Sequence, residues 1–228
     1  ARDWTICIWD PVADDGPLVV LRGHFGSVNG VTTYVAANGN VRVVSCGDDG
    51  TVRIWEDPGN DELLVLKDSG SILGVTTYVA SDDEVRIVSC GADGMVRVWN
   101  LRGDVVLVLE GHAASDVAGE HFEVDHYHTF FNPREDKKVS VKGVKTYLTS
   151  NGEVRVVSWA HDGTVRLWDA SEGGDALQVL KGHGSRDSTY ADEPGVIRVV
   201  IDDATISGAT TYIASNGEAR VVSCADDK

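Results

Sequence analysis

Apolar and polar residues alternate along most of this chain. In the segment that contains Val52, Arg53 and Ile54, the two apolar side chains would lie on one side of the backbone and the arginine on the other. This period of two is typical of a half-buried β-strand and not of a helix. The sequence therefore predicts a protein built from short strands.

The strand-like segments are separated by residue pairs that favour tight turns. Asn-Gly follows the first strand of a copy and Asp-Gly follows the second, at Asn38-Gly39, Asn151-Gly152, Asn216-Gly217, Asp49-Gly50, Asp93-Gly94 and Asp162-Gly163. These pairs tolerate the positive φ that tight hairpin turns require. Consecutive strands are therefore expected to pair in antiparallel fashion.

The same run of residues occurs four times. Three copies are uninterrupted: TTYVAANGNVRVVSCGDDGTVRIWE, TTYVASDDEVRIVSCGADGMVRVWN and KTYLTSNGEVRVVSWAHDGTVRLWD. The fourth copy is split, because residues 210–228 read TTYIASNGEARVVSCADDK and residues 3–10 read DWTICIWD. Trp99 and Trp168 are further apart than Trp55 and Trp99, which indicates an insertion. Repetition of this kind predicts a repeat architecture.

A fourth strand is expected after each copy, at Leu18–Leu21, Leu63–Leu66, Val105–Leu109 and Ala176–Leu180. Gly-His pairs precede the next copy at Gly23-His24, Gly111-His112 and Gly182-His183. Together with the Asp-Gly turns and the closing Trp-acid pairs, this pattern resembles the WD-repeat β-propeller family over nearly the whole chain. The resemblance implies a single all-β propeller domain, residues 1–228, with four-stranded antiparallel blades and four blade-equivalents per chain.

The last blade is expected to be completed by the N-terminal strands, because the two ends carry complementary halves of one copy. One chain could close on itself as four blades, or two chains could exchange halves and form eight. The resemblance implies mostly seven blades, about 51° apart. Eight blades need about 45° and four need about 90°. We therefore favour a two-fold homodimer with inter-chain blade completion, and self-closure is the alternative.

A histidine, a serine and an aspartate recur with the closing tryptophan. The sets are His24, Ser45, Asp49 and Trp55; His112, Ser158, Asp162 and Trp168; and His183, Ser223, Asp227 or Asp3, and Trp9. The same residue types form hydrolytic triads, but a catalytic triad does not need three copies. The resemblance implies a buried network in which the histidine links the aspartate to the serine and the indole N–H completes the chain.

The second blade departs from this pattern. Asp68-Ser69 stands where Gly-His is expected, beside Ser89, Asp93 and Trp99. The sequence therefore predicts an incomplete network and a locally looser second blade.

Two inserts, residues 113–139 and 184–204, lie between a Gly-His pair and the next inner strand. In an antiparallel meander both would lie on the same side of the ring, which we call the insert-bearing face. The first insert predicts a partner-binding surface formed by His121, Phe122, Tyr127, Phe130 and Phe131. Internal packing is the alternative. The second insert is expected to contain an extra strand that pairs with a neighbour or covers an edge.

His126 and His128 would lie on one side of a strand, a pairing that can bind zinc or another transition metal. Asp125 and His121 are nearby, but no cysteine accompanies them. The sequence therefore predicts no cofactor. A metal-binding or metal-dependent hydrolytic site on the insert-bearing face is the alternative.

The chain has 20 basic and 36 acidic residues and a net charge of −16. This balance argues against nucleic acid and anionic membranes as partners, since both require a positive surface. The turns opposite the insert-bearing face form what we call the acidic face: Asp14, Asp15, Asp57, Asp61, Glu62, Asp82, Asp83, Glu84, Asp104, Glu172 and Asp175. Such a face can attract a basic partner, and solubility alone is the alternative explanation.

Three of the four cysteines, Cys46, Cys90 and Cys224, occupy one repeat position. They should lie in separate blades, too far apart for disulfides, so we expect thiols that are mostly buried. This usage fits a reducing compartment such as the cytoplasm.

These features favour a non-enzymatic scaffold for protein or peptide interactions, as the resemblance implies. Every polar set that could react is also a repeat position, which argues against an enzyme. A third possibility is a half-propeller whose chief task is self-assembly, or a fragment of a larger repeat protein.

Overall fold

The computed structural model describes residues 3–12, 16–56, 62–112, 139–181, 206–214 and 219–225. Its regular elements are sixteen β-strands. In chain order they are β1 Thr5–Ile8, β2 Val19–Arg22, β3 Val28–Val35, β4 Val41–Gly47, β5 Thr51–Glu56, β6 Glu62–Lys67, β7 Ile72–Val79, β8 Val85–Gly91, β9 Val96–Trp99, β10 Val105–Leu109, β11 Val141–Leu148, β12 Val154–Ala160, β13 Thr164–Asp169, β14 Gln178–Lys181, β15 Ile206–Ile213 and β16 Ala219–Ala225. The described part of the chain contains no helix long and apolar enough to cross a membrane.

The strands form three complete blades and two half-blades. The first blade is β3 to β6, the second β7 to β10 and the third β11 to β14, each a four-stranded sheet in chain order. All neighbouring strands pair antiparallel, as the turn residues predict. The four-stranded antiparallel blades are therefore confirmed.

The split copy forms two separate two-stranded sheets. The N-terminal half-blade is β1 paired with β2, and the C-terminal half-blade is β15 paired with β16. Within this one chain the two half-blades do not join, so the array of blades is open. Completion of the last blade, by the same chain or by another, remains a prediction.

The tight turns adopt the backbone conformation that the Asn-Gly and Asp-Gly pairs predict. Gly39 has φ 82° and Gly50 has φ 71°, values that strain most other residues. In the second blade, where the first turn lacks glycine, Asp83 takes the corresponding position with φ 61°. Aspartate tolerates this conformation better than most residues, so the hairpin is kept.

The core lies between adjacent sheets. One cluster joins Val88 and Cys90 of the second blade to Val141, Val144 and Trp168 of the third. Near the inner strands, the Thr77 hydroxyl donates to the Thr33 carbonyl at 3.4 Å, and the Thr146 hydroxyl donates to the Thr77 carbonyl at 3.1 Å. Apolar packing and these threonines thus attach each blade to the one before it.

A glycine of each inner strand faces the repeat position that cysteine occupies in three copies. Gly30 faces Cys46 and Gly74 faces Cys90, whereas Gly143 faces the much larger Trp159. The Trp159 indole packs so closely on Gly143 that a β-carbon there would clash with its ring. The indole N–H is buried with no hydrogen-bond partner among the described residues. The tryptophan that stands in place of cysteine in the third copy therefore leaves a buried donor unsatisfied.

The cysteines only partly follow the prediction. Cys46 and Cys90 are free and buried, and burial raises the pKa of the Cys46 thiol to about 12. Cys224, at the same repeat position, is exposed, and Cys7 is partly buried. The expectation of mostly buried thiols therefore fails for Cys224, because its blade is present only as a half.

Candidate functional site

The first blade contains the four-residue network that the repeats predict. His24 Nδ1 lies 2.9 Å from Asp49 Oδ2, and His24 Nε2 lies 2.8 Å from Ser45 Oγ. The Trp55 indole N–H donates to the same serine oxygen at 2.9 Å. A carboxylate only accepts, so Nδ1 carries the proton and Nε2 accepts from the serine hydroxyl. One neutral histidine therefore links the aspartate to the serine, and the tryptophan completes the hydrogen-bonded network.

The third blade repeats this geometry. His112 lies 2.8 Å from both Asp162 Oδ2 and Ser158 Oγ, and Trp168 donates to Ser158 at 2.8 Å. Both serines are fully buried. A nucleophile must reach its substrate, and these hydroxyls cannot. The geometry therefore favours the structural interpretation of these sets over the hydrolytic one.

The ionisation of the first network follows from its burial. Burial lowers the pKa of His24 and outweighs the opposing effect of Asp49. Burial by itself would raise the pKa of Asp49, but hydrogen bonds from the Phe25 N–H, Thr51 and His24 outweigh it and lower the pKa. Neutral histidine and ionised aspartate are thus both favoured by folding.

Acidification is therefore expected to destabilise the fold. Both folded pKa values lie below those of the unfolded chain, so the unfolded state binds more protons as the pH falls. The stabilisation is fully present above the unfolded histidine pKa of about 6.5 and is lost as the pH falls through the folded value. Aspartate protonation adds a further loss below about pH 4. The urea midpoint between pH 7 and pH 4 measures this effect.

His24→Asn is the matched variant, because asparagine cannot take up a proton in this range. It should reduce the shift of the urea midpoint between pH 7 and pH 5, whereas His161→Gln should leave most of that shift. A midpoint that rises on acidification would contradict the assignment of a buried neutral histidine.

The second blade replaces the histidine network with an ion-pair triad. The Arg97 guanidinium lies 2.9 Å from Asp68 and 2.6 Å from Asp93. Trp99 still donates to Ser89 at 2.8 Å. The histidine network of this blade is incomplete, as predicted, because among the described residues no histidine links Ser89 to Asp93. The sequence did not predict the replacement, in which Arg97 joins Asp68 to the turn aspartate.

The split copy leaves the network unfinished. The Ser223 hydroxyl is buried and has no hydrogen-bond partner among the described residues. Trp9, which corresponds to Trp55, is 60% exposed. Asp3 accepts from the Thr5 hydroxyl at 2.9 Å, as the turn aspartates of the first and third blades do from Thr51 and Thr164. His183 and Asp227 lie outside the described residues.

A groove of about 630 Å³ lies between the second and third blades on the acidic face. Asp82 from the β7–β8 turn and Glu172 from the β13–β14 turn both line it, so these turns share one end of the neighbouring blades. The exposed Val79 and Val106 supply apolar surface. The Tyr78 hydroxyl donates to the Ala170 carbonyl at 3.0 Å and joins the two blades beside the groove.

Two arginines line this groove, but each is held by two carboxylates. Arg86 pairs with Asp82 and, at 3.0 Å, with Glu84. Arg155 pairs with Glu153 and, at 3.0 Å, with Asp169. With Glu172, more negative than positive groups face the opening. The arrangement suits a cationic ligand with some apolar surface.

Two carboxylates of the groove, Asp82 and Asp169, have lowered pKa values. A hydrogen bond from the Glu84 N–H, followed by Arg86, lowers the pKa of Asp82. Hydrogen bonds from Ser171, followed by the charge of Arg155, lower the pKa of Asp169. Sequence reasoning identified the acidic turns but missed the groove, because a space between blades depends on how the sheets approach one another.

The site residues proposed from the first insert lie outside the described residues: His121, Phe122, Tyr127, Phe130, Phe131, and the candidate metal ligands His126 and His128. Among the residues that the structure describes, no group of three or more His, Cys, Asp or Glu could hold a metal ion. Nothing in the structure supports the metal alternative.

Residues 16–56 and 62–100 match the family model for the WD domain, G-beta repeat. No curated protein sequence matches the chain. The crystal structure of the WD40 β-propeller domain of Doa1 is similar, with 19% sequence identity and a TM-score of 0.58. The similarity covers 96% of this chain but 54% of that one, so the chain spans about half the length of that domain. The expected resemblance to WD-repeat propellers is confirmed.

Proposed function

Because residues 16–56 and 62–100 match the WD40 repeat model, we propose that this chain is a non-enzymatic scaffold that binds a basic peptide segment of a partner protein in the groove between its second and third blades. WD40 propellers generally serve as platforms for protein interactions. The observation that supports a basic partner is the groove itself, which is lined by more carboxylates than arginines and by the exposed Val79 and Val106.

The polar groups of the blades favour binding over catalysis. Ser45 and Ser158 are buried within their networks, and both ring nitrogens of His24 and His112 already make hydrogen bonds. In contrast, the groove presents its charges at the sheet ends, where ion pairs hold Arg86 and Arg155 and the Tyr78 hydrogen bond joins the two blades. A preorganised surface loses little conformational entropy when a peptide binds.

Calorimetric titration with a short lysine-rich peptide that contains one aromatic residue tests this proposal. We expect the lysine-rich peptide to bind, with affinity that falls as salt is added, and a glutamate-rich counterpart not to bind. Glu172→Gln removes one groove carboxylate and should weaken binding about two- to fivefold, the effect of one exposed charge pair.

Asp175→Asn is the matched control, because Asp175 belongs to the same β13–β14 turn but does not line the groove. It should leave the affinity nearly unchanged. Equal binding of the two peptides, or equal losses in the two variants, would refute the groove as the site.

The first insert is a second candidate surface within the same function. Its aromatic residues, among them Phe122, Tyr127 and Phe130, are of the kind that anchors protein interfaces. Replacement of residues 113–139 by a short Gly-Ser link separates the two surfaces. Peptide binding that survives this deletion supports the groove, and binding that is lost assigns the site to the insert.

We also propose that the complete propeller contains two chains. An eight-bladed ring needs an angle between blades close to that of the common seven-bladed propellers, whereas four blades need about twice that angle. The open array of blades supports this arrangement.

A further inference from the structure

We infer that a second copy of this chain completes the split blade by pairing its β1 with β16, so that Trp9 of the second copy donates its indole N–H to the buried Ser223 hydroxyl. This inference makes the proposed two-chain ring specific at the level of residues. It does not depend on the peptide groove, which lies between two complete blades.

The unsatisfied Ser223 hydroxyl is the first observation that carries the inference. In all three complete blades the corresponding serine accepts from the indole of the third strand, at 2.9 Å in the first blade and 2.8 Å in the second and third. A buried hydroxyl without a partner is costly. Trp9 occupies the sequence position of the missing donor.

The second observation is that both unpaired edges expose residues that complete blades bury. Trp9 is 60% exposed, whereas Trp55 and Trp168 are 0% exposed. Val222 of β16 is 52% exposed, whereas its counterparts Val44 and Val88 are 0% exposed. Joining β16 to a β1 strand would satisfy both edges, and the first blade, which packs on the N-terminal half-blade, would then cover Val222 as the second blade covers Val44.

The N-terminal half-blade already has the geometry of the outer half of a complete blade. Thr5 pairs with Arg22 and Ile6 with Leu21, the register in which Thr51 pairs with Lys67 and Val52 with Leu66. Trp4 has φ 63°, although it is not glycine, and Gly50 at the corresponding turn position has φ 71°. The half-blade therefore needs no rearrangement to pair.

Two copies of the chain can complete each other's split blades at the same time. The N-terminal half-blade packs on the first blade, through Ile6 and Leu21 against Val43 and Trp55. The C-terminal half-blade packs on the third blade, through Ile206 and Val221. The halves thus lie at opposite ends of the array, and a two-fold axis would form two identical composite blades and leave neither edge open.

The register of the composite blade follows from the complete ones. Val43 lies opposite Trp55 and Ser45 opposite Arg53, and the second and third blades keep the same register. Applied to the split copy, this register places Val221 opposite Trp9 and Ser223 opposite Cys7. Directly opposed residues in antiparallel strands are close enough for a disulfide.

The test introduces a cysteine opposite the native Cys7. Ser223→Cys, oxidised under mild conditions, should form a disulfide between Cys7 and position 223 that links two chains, seen as a doubled mass on a non-reducing gel and as the linked peptide in mass spectrometry. Val222→Cys, on the other side of the strand, should not link to Cys7, and Cys7→Ser should abolish the product.

Light scattering on the unmodified protein provides the second measurement. A mass of twice 24.4 kDa is expected. A species of 24.4 kDa, or a disulfide in the Ser223→Cys variant that joins Cys7 to position 223 of the same chain, would overturn completion by a second copy. A dimer that links Val222→Cys as readily as Ser223→Cys would overturn the register. Peptide binding in the groove is measured separately and can succeed or fail on its own.

Discussion

Replacing His112 by alanine is expected to lower the free energy of unfolding by about 3–5 kcal/mol, the cost of removing one partner from a buried pair. The Asp162 side chain is 0% exposed and would keep its charge without the 2.8 Å contact to His112. The Ser158 hydroxyl would lose its acceptor as well. Urea denaturation at neutral pH, followed by tryptophan fluorescence, measures the loss.

Ser69→Ala in the second blade is the matched control for this prediction. Ser69 stands in the sequence where the histidine is missing, but it is exposed and its contact to Asp93 is long, at 3.5 Å. Its replacement should change stability by no more than about 0.5 kcal/mol. Similar losses in the two variants would mean that the histidine networks do not stabilise the blades.

Gly143→Ala is expected to destabilise the chain by about 3 kcal/mol, because the new β-carbon would overlap the indole ring of Trp159. Gly30→Ala should cost less, since its β-carbon meets the Cys46 sulfur at 3.1 Å and a small displacement relieves the contact. Urea midpoints of the two variants give the comparison.

A second substitution identifies the cause of the Gly143→Ala loss. Trp159→Cys restores the residue that the other three copies have at this position. Alone it should be destabilising, because it empties the space of a buried indole. Combined with Gly143→Ala, it should cost at least about 1 kcal/mol less than the sum of the single losses. Strictly additive losses would show that the clash is not responsible.

The strands and turns could be predicted because their signals are local. Alternation of apolar residues fixes a strand, and Asn-Gly or Asp-Gly fixes the turn after it. The observed fourth strands begin and end within two residues of the predicted ones in every copy. The buried networks of the first and third blades also followed, since these two copies repeat the same residue types at the same positions.

The features that were missed depend on how chain segments approach one another in space. The second-blade triad forms because the connection before β7 brings Asp68 beside Arg97, and sequence alignment with the Gly-His copies does not reveal this. The groove and the Gly143–Trp159 contact likewise depend on distances between chain segments. A repeat pattern does not give the distance between neighbouring sheets, which determines the groove, or the distance between neighbouring strands, which determines the Gly143–Trp159 contact.

The second-blade triad also makes the three complete blades unequal in their response to ionic strength. The side chains of Arg97 and Asp93 are 16% and 23% exposed, whereas those of His112 and Asp162 are 1% and 0% exposed. Mobile ions screen charges that water reaches and have little effect on buried pairs. Rising salt concentration is therefore expected to weaken the pair between Arg97 and Asp93 more than the pair between His112 and Asp162.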